Sequence, residues 1–108
     1  MPVNTLTDST FKVNVLDSAL PVLVDFTAEW CKPCKLLAPI VEQLSVELAP
    51  HLTVGRLDVD QNIEATTQSG VQGLPTLILF KGGQPVERVT GFVSKDKLQE
   101  KLKRHLSS

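Results

Sequence analysis

The sequence predicts an α/β domain in which a central mixed β-sheet carries helices on both faces. Three observations lead there. Short β-branched apolar runs alternate with longer segments whose apolar residues recur at helical spacing. The run from Pro21 to Ala28 lacks strict in–out alternation, as a strand covered on both faces does. The last two runs are separated only by a glycine-rich turn, which makes that pair antiparallel.

The elements follow in order. A short strand is expected near Val3 to Thr5. Asp8 or Ser9 then caps a helix that buries Phe11, Val15 and Leu16. "PVLVDFTA", Pro21 to Ala28, reads as a strand buried on both faces. Leu37, Ala38, Val41, Leu44 and Leu48 mark a long amphipathic helix from about Pro33 to Leu48. Pro39 interrupts it, removing one backbone hydrogen bond and kinking it. "HLTVGRLDVD", His51 to Asp60, is the next strand, and a short helix over Ile63 to Gln68 stops at Gly70. "PTLILF", Pro75 to Phe80, pairs with "PVERVTGF" through the tight turn "KGGQ", Lys81 to Gln84. Ser94 caps a closing helix with Leu98, Leu102 and Leu106 on one face. The order is β-α-β-α-β-α-β-β-α.

Composition narrows the function classes. A chain of 108 residues fits one domain spanning 1–108. With 42% hydrophobic and 21% charged residues it is globular rather than disordered. A net charge of −1 leaves no electrostatic footprint for nucleic acid. The cluster Lys95, Lys97, Lys101, Lys103 and Arg104 reads as a solvated helix face. The start, "MPVNTLTDST", shows no basic segment leading into an apolar stretch. No apolar run approaches the roughly 20 residues of a membrane helix. A cytoplasmic, reducing location is therefore expected, where a close cysteine pair is catalytic or metal-binding rather than structural.

Cys31 and Cys34 are the only cysteines. A structural zinc site needs about four ligands, and the two histidines, His51 and His105, are far along the chain. A bridge between residues three apart closes too short a loop to stabilise much. Redox chemistry remains as the favoured reading, and a Cys-x-x-Cys beside a βαβ pattern is a known signature of it. Cys31 falls where a helix begins, so unpaired N–H groups and the helix dipole favour its thiolate, the form that attacks a disulfide. Cys34, one turn on and more buried, is placed to attack the mixed disulfide that results. Pro33 suits the first helical turn and stiffens the motif.

"WCKPCK" after "VDFTAE", "GLPT" at Gly73 to Thr76, and "FKGGQ" resemble the thioredoxin family over essentially the whole chain. The resemblance implies a five-stranded mixed sheet flanked by four helices. It also implies a monomeric protein-disulfide reductase, recycled by an NADPH-dependent flavoprotein thioredoxin reductase and binding no cofactor itself. A binding or chaperone subunit with an incidental dithiol is the alternative, and an isomerase-like oxidase of an oxidising compartment a third. The intact dithiol argues against the former and the absent signal peptide against the latter.

Asp25 lies among apolar neighbours in "VLVDF", so desolvation should raise its pKa. The resemblance gives it the role of a base that deprotonates Cys34. It also implies a cis bond at Leu74–Pro75, packed against the cysteines and exposing backbone of Gly73 and Leu74 for an extended substrate. Trp30, with Val59, Gly73, Leu74 and Gly91, is expected to form an apolar docking patch beside the exposed Lys32 and Pro33. Three positions depart from the family. Lys32 replaces a glycine, and its charge should stabilise the thiolate and weaken the reductant. Thr27 replaces an aromatic, which implies looser packing or repacking. Arg56 replaces a lysine near the buried acid and cannot readily lose its charge.

Overall fold

A computed structural model describes residues 3–106. The elements are β1 (Val3–Leu6), α1 (Asp8–Phe11), β2 (Val22–Thr27), α2 (Lys32–Glu47), β3 (Thr53–Asp58), α3 (Ile63–Gln68), β4 (Thr76–Lys81), β5 (Gln84–Thr90) and α4 (Lys95–Lys103). A π-helical turn, Lys12–Leu16, continues α1. The strands form one five-stranded sheet in the order β1-β3-β2-β4-β5. β3 pairs in parallel with β1 and β2, while β4 runs antiparallel to β2 and β5.

Strand parity divides the core into two layers, because successive side chains leave opposite faces. Leu23, Val54, Leu77 and Leu79 pack with Leu37, Val41 and Leu44 of α2 and Leu98 and Leu102 of α4. Val22, Val24, Phe26, Ile78 and Phe80 pack on the other face with Phe11, Val15 and Ala65. Phe11 and Phe80 meet edge to face, their centroids 5.7 Å apart. Asp25 shares the parity of Leu23, and Arg56 that of Val54. Both therefore point toward α2, the helix that carries the cysteines.

The hairpin turn needs positive φ at both central residues, and Gly82 (61°) and Gly83 (79°) supply it. At Gly83 a side chain would also meet the Leu16 carbonyl oxygen at 2.7 Å. The turn thus rests on the backbone that ends the first helix.

Several expectations need correction. Thr7, not Asp8 or Ser9, caps α1. Its hydroxyl accepts from Thr10 N at 3.3 Å, and Thr10 Oγ1 accepts from Thr7 N at 3.0 Å. Asp8 is engaged elsewhere: its carboxylate accepts from Ala65 N at 2.8 Å and Glu64 N at 3.4 Å, capping α3 from a distance. Asn62 reciprocates, its Oδ1 accepting from Asp8 N at 2.8 Å. Leu16 is exposed rather than buried, being one step past Val15 in the π turn. Pro39 lies inside α2, where the sequence placed it. Leu106 packs on the core but lies beyond the end of α4. Leu74–Pro75 is cis, as the resemblance implied; Ala49–Pro50 is cis as well.

Candidate active site

Cys31 is the N-cap of α2, and its Sγ accepts a hydrogen bond from Cys34 N at 3.3 Å. A sulfur here takes the place that a serine or aspartate oxygen usually fills. Lys32 and Pro33 occupy the first turn and are exposed. The two cysteines are joined as a disulfide, with Cα atoms 5.3 Å apart. Both residues are buried to the same degree, so Cys34 is not the more covered of the two in this state. Ala28 packs against the pair, and Val59 and Leu74 border it.

Asp25 lies in the middle of β2, directly opposite Arg56 in the parallel register and Leu77 in the antiparallel one. It is only 2% exposed. Arg56 Nε donates to Asp25 Oδ2 at 3.2 Å, and Arg56 Nη1 donates to Glu42 Oε2 at 3.3 Å. Burial pushes the Asp25 carboxyl above the ordinary carboxylate range. The Arg56 charge and hydrogen bond oppose that rise without cancelling it, and the Glu42 charge adds to it. The expected closeness of Arg56 to the acid is thus what the structure shows. Thr27 borders a cavity of about 380 Å³ whose wall includes Cys34, Ala38 and Arg56.

Trp30 is 70% exposed, more than half. Its indole Nε1 donates to Asp60 Oδ2 at 2.7 Å, which fixes the ring over a groove of about 250 Å³. The groove brings together Trp30, Val59 and Leu74 of the expected patch. It does not include Gly73 or Gly91. Gly91 stands after β5 instead, where its N donates to Pro75 O at 2.8 Å, and Gly73 O accepts from Thr76 Oγ1. Ile63, Thr66, Val71 and Gln72 complete the wall and were missed. The available signal was an apolar residue, Ile63, at the first position of a short helix; it is 67% exposed.

A dithiol or disulfide at a helix N-terminus, beside an apolar groove, can exchange with an external disulfide. The thioredoxin family model matches residues 2–104. The chain belongs to the thioredoxin family. It is 46% identical over 101 residues to thioredoxin 1 of a Nostoc species, covering 94% of each chain. It is 50% identical over 97 residues to the thioredoxin of Mycobacterium bovis, covering 90% of this chain and 84% of that one. A bifunctional thioredoxin reductase/thioredoxin of Mycobacterium leprae matches at 48% over 97 residues, 90% of this chain and 21% of that protein. Family membership and the Cys31–Cys34 pair make the chain a thiol–disulfide oxidoreductase. The family implies a thioredoxin reductase and disulfide substrates as its partners. No helix among the described residues is long and apolar enough to cross a membrane.

Proposed function

We propose that the chain works as a single thioredoxin domain that reduces protein disulfides through Cys31, with Cys34 resolving and Asp25 moving the proton. The reduced Cys31 thiolate attacks one sulfur of a substrate cystine, and the other substrate sulfur leaves and takes up a proton. Cys34 gives its proton to Asp25 and attacks Cys31 Sγ. The Cys31–Cys34 disulfide forms, the second substrate thiol departs, and two electrons have passed to the substrate. The observation that carries this reading is the Cys31 sulfur at the helix cap, where a backbone N–H already points at it.

Trp30, Val59 and Leu74 offer an apolar surface for the substrate chain, with Lys32, Pro33, Gly73, Pro75 and Gly91 around it. An NADPH-dependent flavoprotein reductase returns the electrons, and the chain acts as a monomeric electron carrier in the cytoplasm. The fused Mycobacterium leprae relative, whose name joins both activities, supports that pairing. Insulin reduction by dithiothreitol tests the assignment. The parent should accelerate it, Cys31→Ser should lose all acceleration, and Cys34→Ser should trap a mixed disulfide. Equal activity of Cys31→Ser and the parent would remove the attacking role.

A further inference from the structure

Arg56 stands between two carboxylates and fully engages neither. Its Nε reaches Asp25 and its Nη1 reaches Glu42, at 3.2 and 3.3 Å. Asp25 Oδ1 and Arg56 Nη2 are both buried, and neither has a hydrogen-bond partner in the protein. Nε and Nη2 lie on one edge of the guanidinium, the edge that grips a carboxylate with two parallel bonds. The two unpaired atoms are therefore the missing half of a two-bond grip on Asp25. A buried polar atom without a partner is costly, and the contact the structure shows on the same guanidinium is the one from Glu42. Glu42 is the only other carboxylate that pairs with Arg56 among the described residues, and it holds the opposite corner.

We propose that Glu42 is a positioning residue that keeps Arg56 half-engaged on Asp25, preserving the proton affinity that Asp25 needs to serve Cys34. The last clause rests on the proton-transfer reading above; the positioning of Arg56 does not. A closed grip would place two charge-assisted hydrogen bonds on the ionised acid and favour it. Asp25 would then be a weaker base at working pH. The other titratable groups on this side are Cys34 and Lys35 on α2, Asp58 on β3 and Glu29 before α2, which line the adjoining cavity. β4 faces Asp25 with Leu77 and adds none. Only Arg56 forms an ion pair with Asp25 among the described residues. Glu42 itself is 57% exposed, so its removal leaves the core intact.

The test follows the Asp25 carboxyl by carbon-13 resonance titration in the disulfide form, where the cysteines do not titrate. Glu42→Gln should lower the Asp25 midpoint. Glu47→Gln, which removes a carboxylate further along α2, should leave it unmoved. The Glu42 effect should shrink in an Arg56→Lys background, because lysine has no fork to close. Release of a peptide from a preformed Cys31 mixed disulfide should slow by about three- to tenfold at pH 7 in Glu42→Gln, a part of what a general base supplies. Its pH profile should move to lower pH. An unmoved midpoint, or equal shifts in the arginine and lysine backgrounds, overturns the proposal, since Glu42 would then act through its charge alone. A lowered midpoint with unchanged release leaves the Arg56 positioning standing and removes Asp25 from proton transfer.

Discussion

Replacing Asp25 with asparagine should stabilise the folded protein at pH 8 and not at pH 4. A buried carboxylate loses several kcal/mol of hydration even after relaxation. Arg56 at 3.2 Å returns about 5 kcal/mol at an effective dielectric of roughly 20. That return is diluted, because Arg56 also serves Glu42 and keeps 29% of its side chain exposed. Because Arg56 keeps Glu42 as a partner and stays partly exposed, losing Asp25 strands no fully buried charge, and the lost hydration outweighs the diluted return by about 2 kcal/mol. Its sign follows from burial raising the folded-state pKa. In the window from about pH 4 up to the folded midpoint, the native state holds more protons than the unfolded one. Stability from Asp25 is therefore complete below the window and lost as pH rises through it. Asparagine removes this loss, raising Tm by about 8–16 °C at pH 8. Urea unfolding of the disulfide form at both pH values measures it. An asparagine variant no more stable than the parent at pH 8, or equally stabilised at both, would refute the reasoning.

Two further outcomes are expected. Asp8→Ala removes the acceptor for Ala65 N and should cost about 1 kcal/mol, lowering Tm by about 4–8 °C; calorimetry on the oxidised protein would detect it, and an unchanged Tm would count against the remote cap. Lys32→Gly withdraws a cation beside Cys31 and should make the potential more negative by about 10–30 mV, the low end reflecting solvent screening of an exposed charge; equilibration with glutathione decides, and an unchanged or higher potential sinks the idea.

The strands and long helices were legible because each has a local pattern. Pro21 to Ala28 reads as a strand covered on both faces and Pro75 to Phe80 as an apolar strand, and the strands at Val22–Thr27 and Thr76–Lys81 are buried along nearly all their length. Cys31, Cys34 and Asp25 were legible for a similar reason: each is a residue type out of place in its local setting. What escaped the sequence depends on partners far along the chain. Asp8 looked like a cap for its own helix because Ala65, 57 residues away, is invisible to local rules. Glu42 gave no sign of its tie to Arg56, since α2 and β3 must fold together before the two meet. The groove beside Trp30 was half anticipated. Ile63 and Val71 join it through the seating of α3, which the weak pattern of that helix did not fix.

The chain contains a single tryptophan and no tyrosine, and that indole precedes the reactive sulfur by one residue. Exposed and tethered to Asp60, it is the dominant ultraviolet chromophore of the molecule. Its absorption and emission therefore report on one place only, the groove beside the Cys31–Cys34 pair, so a partner seated there can be followed with no label attached.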